Sequence, residues 1–161
     1  MRGPLRDDPR VPAARIPNHA AAAGRHTLAQ SVVARYQDGR VLKGVSMDID
    51  PAKPVFHVRP QQGPVVEVKL SDLKALFFVR SLAGNPEYSD VPRLDPADPR
   101  ARGSIPVRLT FADGEVMLGL TFHFPPNRPY FFVTPVDPKS NNIRVLVNRA
   151  ALKEIDQLAA S

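Results

Sequence analysis

The sequence contains no cysteine, and this absence removes several kinds of chemistry at once. No disulfide framework, no thiolate zinc site and no cysteine nucleophile can exist in this chain. No run approaches the roughly 18 apolar residues of a membrane-spanning helix. The first thirty residues also hold no long apolar segment of the kind found in secretory signals. We therefore expect a soluble, cytoplasmic protein.

Catalytic signatures are missing as well. The chain has no nucleophile-elbow, zinc-protease, phosphate-loop or dinucleotide-binding pattern. His57 and His123 each lack a second histidine at ligand spacing, which favours strand-face residues over metal ligands. Asp48 and Asp50 alternate on one strand face and could hold a cation or transfer protons, but a solvated hairpin end explains them better. We expect no enzyme activity, no metal and no cofactor.

Proline and positive charge are plentiful by contrast. The 161 residues include 18 prolines, which predicts frequent turns and extended segments. A hydrophobic content of 43% and a charged content of 24% are typical of a globular domain. The formal net charge of +6 favours anionic partners, which include nucleic acid, an anionic membrane surface and an acidic protein.

The first thirty residues differ from the remainder of the chain. They carry five arginines against two aspartates, four prolines and a run of four alanines, with no aromatic residue. Such a segment cannot bury a core of its own, which predicts a flexible basic arm. The alternative is an arm that becomes ordered on an anionic partner.

Strand-like segments follow the arm, and they are duplicated. Asp38-Gly39 and Asp113-Gly114 each lie between β-branched and apolar runs, which predicts two tight hairpins. Shifted by 75 residues, residues 32–60 align with residues 107–135 without a gap, and ten of these 29 positions are identical. This internal repeat is the most specific signal in the sequence.

A proline- and glycine-rich connector separates the two copies, because a central strand could not hold its prolines. The predicted organisation is a basic arm over residues 1–30, a first repeat over 31–80, a connector over 81–104, and a second repeat with a C-terminal helix over 105–161.

Each repeat offers about five short strands with one apolar face, a set that commonly curls to hide its edges. Gly44 and Gly119 lie mid-strand, where glycine permits the necessary bend. Leu152, Ile155 and Leu158 recur every third residue, which predicts a short C-terminal helix beginning near Asn148. The predicted fold class is therefore all-β, with two tandem small SH3-like or Sm-like five-stranded barrels, this helix and a flexible N-terminal arm.

The repeat unit resembles the Sm-like fold of bacterial and eukaryotic RNA-binding ring proteins. An Asp-Gly turn and a mid-strand glycine are followed by Ile49-Asp50, where that family has an apolar-Asp pair. Most of residues 32–158 also resembles a family of uncharacterised bacterial proteins with duplicated units, which implies no known activity. The loops depart from the Sm-like pattern, since "DPAKP" and "PPNRP" replace its asparagine loop and neither copy has its Arg-Gly. RNA binding is thus not carried over by the fold.

The two proline-framed loops supply the candidate binding residues. Lys53 and Arg128 occupy equivalent positions in them and form the best candidate for an anion-contacting pair. Tyr130 and Phe132 flank a core position, and an exposed ring there could stack on a base or pack between repeats or subunits. The complete candidate set is Lys53, Arg59, Asn127, Arg128, Tyr130 and Phe132.

Two functions fit these features. The first is a non-catalytic binding or regulatory module that docks a protein partner through its loops and open strand edges. The alternative is nucleic-acid binding, of RNA in particular, through the basic arm and the basic loops. Open strand edges would also permit a homo-oligomer.

Overall fold

The computed structural model describes residues 28–91, 93 and 97–158. Residues 1–27, on which most of the predicted arm falls, lie outside the described residues, as do connector residues 92 and 94–96. The described part of the chain has no helix with the length and hydrophobicity of a transmembrane segment. The residue boundaries of the arm, the repeats and the connector stay a prediction.

Ten strands and three short 3-10 helices make up the described fold. The strands are β1 (Gln30–Tyr36), β2 (Val41–Ser46), β3 (Val55–Val58), β4 (Val66–Lys69), β5 (Leu73–Val79), β6 (Ile105–Phe111), β7 (Val116–Thr121), β8 (Tyr130–Pro135), β9 (Asn142–Asn148) and β10 (Leu152–Gln157). The 3-10 helices are Leu70–Asp72, Pro99–Ala101 and Arg149–Ala151. The described residues contain no α-helix, so the predicted all-β composition is confirmed.

Both Asp-Gly turns are present and join the first two strands of each repeat. Gly39 and Gly114 have φ of +97°, a left-handed conformation that glycine adopts without strain. The Tyr36 N–H donates to the Arg40 carbonyl at 2.9 Å, and its counterpart Phe111 donates to Glu115 at 2.8 Å. The two copies of the turn therefore build hairpins β1–β2 and β6–β7 in the same way.

Eight strands form one antiparallel sheet in the order β10-β6-β7-β8-β9-β5-β1-β2, and β3 pairs with β4. Outside this ladder, Val45 and Arg59 form the isolated bridge between β2 and β3. The prediction of two closed barrels was wrong. β9 of the second repeat pairs with β5 of the first, with Leu76 opposite Leu146, so these two edges join the repeats instead of closing separate barrels.

The predicted C-terminal helix was also wrong, because Leu152–Gln157 is strand β10. Ile155 lies opposite Leu109 of β6, and the register shifts between Leu152 and Glu154. A shift of this kind brings residues three apart onto the core side of a strand and imitates a helical spacing. Asn148 does cap a helix, but this is the 3-10 turn Arg149–Ala151, in which its side chain accepts from the Ala150 N–H.

Gly44 and Gly119 serve close packing, which differs from the predicted bend. A Cβ on Gly44 would lie 2.3 Å from the Arg59 carbonyl oxygen. A Cβ on Gly119 would lie 2.0 Å from a methyl group of Val133. Neither separation is compatible with van der Waals contact. Glycine at these two positions thus allows β3 and β8 to approach the preceding strands.

Strand β5 lies between two hydrophobic cores, since all seven of its residues are buried. From Ala75 onward, its odd-numbered residues Ala75, Phe77 and Val79 pack in the cluster built mainly from the second repeat. Its even-numbered residues Leu76 and Phe78 pack in the cluster built mainly from the first repeat. Because strand residues alternate between faces, β5 is a shared wall between the two repeats.

Candidate functional site

The loops that follow β2 and β7 are held in place by equivalent backbone contacts. The Leu70 N–H donates to the Pro54 carbonyl at 2.9 Å, and the Arg149 N–H donates to the Pro129 carbonyl at 2.9 Å. The Arg149 guanidinium also donates to the carbonyl of Pro126. The 3-10 helices Leu70–Asp72 and Arg149–Ala151 therefore each anchor the end of the proline-framed loop in their own repeat.

Each loop begins with a large apolar side chain that points into solvent. Met47 is 55% exposed and Phe122 is 72% exposed, and the two occupy equivalent positions in the repeats. A single exposed apolar side chain is ordinary on a protein surface, so the feature of interest is its recurrence at one position in both repeats. The sequence prediction missed both residues, although the repeat alignment showed an apolar residue at this position in both copies.

Each loop also carries a basic side chain near its end. Lys53 and Arg128 are exposed, and neither side chain has an ion-pair partner among the residues that the structure describes. Asn127 is exposed beside Arg128. We use the name loop surface for two pairs on separate loops, Met47 with Lys53 after β2 and Phe122 with Arg128 after β7. It combines one apolar and one unpaired basic group in each repeat.

Arg59 lies away from this loop surface. It follows β3 at the end opposite Lys53, and its backbone pairs with Val45 through bonds of 2.8 and 3.0 Å. The Arg59 side chain is exposed. The structure therefore does not bring Arg59 together with the other basic residues of the candidate set.

Tyr130 and Phe132 are half-buried against the core of the first repeat. The Phe132 and Phe78 ring centroids are 6.0 Å apart. The guanidinium of Arg144 lies 4.4 Å from the Phe132 centroid and 4.5 Å from the Phe78 centroid, within cation–π range. Burial lowers the pKa of Arg144. These rings thus pack at the junction of the repeats, with the Arg144 cation against both.

Asp48 and His57 form an ion pair at the base of the first loop. The Asp48 Oδ2 lies 2.6 Å from His57 Nδ1, and Asp48 Oδ1 accepts from the His57 N–H at 2.9 Å and from the Ser46 hydroxyl at 3.2 Å. Asp50 instead accepts from the Ala52 N–H at 2.9 Å and turns into its own loop. Asp48 and Asp50, which strand alternation placed on one face, thus have different partners in the structure.

The ion pair changes the pKa of both its members. The hydrogen bond to Asp48 raises the pKa of His57 above its usual value of 6.5. Burial raises the pKa of Asp48, but the hydrogen bonds from His57 and Ser46 outweigh it and lower the pKa overall. The second repeat has His123 and Phe132 at these positions, so the pair is not duplicated. No cluster of three or more metal-ligating side chains occurs in the described ranges. The contact between Asp48 and His57 joins the two ends of the loop between β2 and β3.

Comparison with protein families gives one match that covers both repeats. The profile of the Family of unknown function (DUF6982) matches residues 28–159. The chain belongs to this family. No curated protein and no solved structure matches it. The DUF6982 match spans all ten strands, so both repeats and the junction between them lie inside the region that defines the family.

In this DUF6982 chain, titration of His57 tests the ion pair. We expect the His57 pKa to lie above 6.5 in the wild-type protein and to fall towards that value in the Asp48→Asn variant. The sign follows from linkage: bracing by His57 is complete below its unfolded pKa and is lost as the pH rises through the raised folded pKa. NMR titration of the imidazole signals measures this difference.

The control is Asp50→Asn, which changes a carboxylate of the same loop that does not contact His57. It should leave the His57 titration as in the wild type. An unchanged His57 pKa in Asp48→Asn would show that the contact does not form in solution.

Proposed function

We propose that this chain is a non-catalytic binding module that docks an acidic protein partner on its loop surface. The carrying observation is the repetition of one exposed apolar and one unpaired basic side chain, Met47 with Lys53 and Phe122 with Arg128. The net charge of +6 supports a partner of opposite sign. A cytoplasmic location is part of this proposal and stays a prediction.

The two kinds of side chain would make different contributions to binding. Met47 and Phe122 would bury apolar area, which is the main source of affinity in most protein interfaces. Lys53 and Arg128 would orient the partner and raise its association rate, and their effect would weaken with salt. Because each repeat carries one such pair, a partner with two acidic-apolar segments could engage both and gain avidity.

Capture from a nuclease-treated lysate, read by mass spectrometry, tests the proposal. We expect the wild-type chain to retain acidic proteins that are lost, about tenfold or more, in both Met47→Ser/Phe122→Ser and Lys53→Glu/Arg128→Glu. A loss of 1.4 kcal/mol in binding already gives a tenfold change. All four positions are exposed, so the variants should fold normally.

The matched control is Val41→Ser, which removes a similarly exposed apolar side chain on a strand away from the loops. It should retain the same proteins. Capture that is unchanged in both double variants would refute docking on the loop surface.

Nucleic acid is the second candidate, favoured by the same unpaired Lys53 and Arg128 with the overall positive charge. Phosphate contacts release counterions, so RNA retention on a gel should fall steeply with salt and disappear in Lys53→Glu/Arg128→Glu. The apolar double variant should still bind RNA, which separates this function from protein docking. No retention of RNA at low salt would exclude it.

A further inference from the structure

The two repeats share one strand order, and this order defines how they are joined. The first repeat runs β5-β1-β2 and continues through the Val45–Arg59 bridge to β3-β4, while the second runs β10-β6-β7-β8-β9. The inner junction is the pairing of β5 with β9. The last strand in the sequence of one repeat is therefore bonded to the fourth strand of the other.

The equivalent outer strands, β10 and β4, are edges in the described part of the chain. β10 pairs with β6 alone, and β4 pairs with β3 alone. The Leu158 N–H donates to the carbonyl of Pro106 in β6, so strand alternation directs the N–H groups of Ile155 and Gln157 away from β6. Unpaired backbone groups on a strand edge are a template for another strand.

The β4 edge shows the complementary arrangement. The Leu70 N–H donates to Pro54 next to β3, so the N–H groups of Glu67 and Val65 point away from β3. Val65 is 49% exposed, and Glu67 is exposed as well. Each outer edge thus offers backbone donors and acceptors with the same spacing as the strands of the inner junction.

We propose that β10 of one copy pairs with β4 of a second copy of this chain, in the register of the inner junction. There, Leu76 lies opposite Leu146 and Phe78 opposite Arg144. After four further residues of offset, a shift of 79 aligns residues 65–78 of the first repeat with residues 144–157 of the second. The equivalent pairs are therefore Ile155 opposite Glu67 and Gln157 opposite Val65 of the second copy. Because two different edges meet, the contact is head-to-tail and builds a ring or a filament.

Side chains at the inner junction indicate why a second copy fits. Lys74 forms ion pairs with Asp113 and Glu115 of the other repeat, at 2.7 Å for Asp113. The equivalent of Lys74 is Lys153, which is exposed and would approach Asp38 of the second copy. The outer edges thus carry counterparts of the groups that hold the inner pair.

The counterparts are incomplete, so the outer junction is the weaker of the two. Arg40 replaces Glu115, and its guanidinium pairs with Asp38 at 2.8 Å within the same repeat. It also covers the Tyr36 ring at 4.2 Å, much as Lys74 covers Phe111 at 4.8 Å. Lys153 would therefore approach Asp38, whose carboxylate is already paired with Arg40. We expect self-association that depends on protein concentration.

Light scattering over a concentration series tests this pairing. The wild-type mass should rise above the 17.7 kDa of one chain as the concentration increases. Val65→Lys/Gln157→Lys places like charges directly opposite each other and should remain at the mass of one chain. Val65→Glu/Gln157→Lys has opposite charges at the same two positions and should associate again.

Mixing tests the head-to-tail geometry. Glu67→Pro removes an outward N–H from β4 only, and Gln157→Pro removes one from β10 only, without loss of a bond to β3 or β6. Each variant alone should have the mass of one chain, since no molecule has both edges intact. A 1:1 mixture should form one two-chain complex, because each variant retains the edge that the other has lost.

Three outcomes would overturn the proposal. A wild-type chain that keeps the mass of one chain at every concentration shows that the edges do not pair. Association that survives Val65→Lys/Gln157→Lys lies on another surface. A 1:1 mixture of folded proline variants that stays at one-chain mass, while the wild type associates, contradicts head-to-tail pairing. None of these variants changes the loop surface, so protein docking there can succeed or fail independently.

Discussion

Replacing Gly44 with alanine is expected to lower the free energy of unfolding by about 2–3 kcal/mol, as overpacking of a well-filled site does. The added Cβ would lie 2.3 Å from the carbonyl oxygen of Arg59. That carbonyl accepts from the Val45 N–H at 3.0 Å, and Val45 accepts in turn from Arg59 at 2.8 Å. Because the obstacle is backbone, relief requires breaking the bridge that connects β2 to β3.

Urea unfolding followed by circular dichroism measures this loss. The control is Val41→Ala on the same strand, where the side chain is exposed and the change should stay within about 0.5 kcal/mol. In Gly119→Ala the nearest atom belongs to the Val133 side chain, so Val133→Ala in the same protein should relieve part of the strain. A Gly44→Ala protein as stable as the wild type would refute the close approach of β3.

Asn148→Ala is expected to cost about 2 kcal/mol, because it leaves a buried carbonyl unsatisfied and removes a cap. The Asn148 side chain is buried and donates to the Leu73 carbonyl of the first repeat at 2.9 Å. Its amide oxygen accepts from the Ala150 N–H at 3.0 Å. One side chain thus bonds the two repeats and starts the turn before β10.

Thermal melting of Asn148→Ala against the wild type checks this value. Asn127→Ala is the matched control, since Asn127 is exposed in a loop and its loss should change stability by less than about 0.5 kcal/mol. Equal losses in the two variants would show that the bond between the repeats does not contribute to stability.

Hairpins and repeats could be predicted from the sequence because their signals are local. An Asp-Gly pair between apolar runs specifies a turn through the backbone conformation of four residues. The alignment of residues 32–60 with 107–135 then transfers each element from one copy to the other. The structure places strands β1, β2 and β3 in the same order as β6, β7 and β8.

The joining of the repeats could not be predicted in this way. Pairing of β5 with β9 brings together residues about seventy positions apart. A local sequence pattern does not specify which distant strand will pair with a given edge. One sign was present, since β5 reads almost continuously apolar, which is typical of a strand buried on both faces. The prediction of a C-terminal helix was wrong for a related reason. The apolar residues recur every third position, but the segment pairs with β6, where Ile155 lies opposite Leu109.

The candidate site divides along the same line. Repeat alignment located Lys53 and Arg128, because their loops are framed by prolines in both copies. Exposure of Met47 and Phe122 depends on which strand face the core covers, and the contact of Asp48 with His57 spans a loop. Neither the exposure of Met47 and Phe122 nor the Asp48–His57 contact can be predicted from the spacing of residues in the sequence.

The β5·β9 junction has a consequence for assembly that follows from its covalent tether. The chain between these two strands keeps them on one molecule, so their pairing is intramolecular. Dilution therefore leaves this contact intact, whereas the proposed β10·β4 contact between copies follows mass action. Duplication has made one of two equivalent contacts unimolecular, so the assembly can dissociate into single chains while each chain keeps its repeats together.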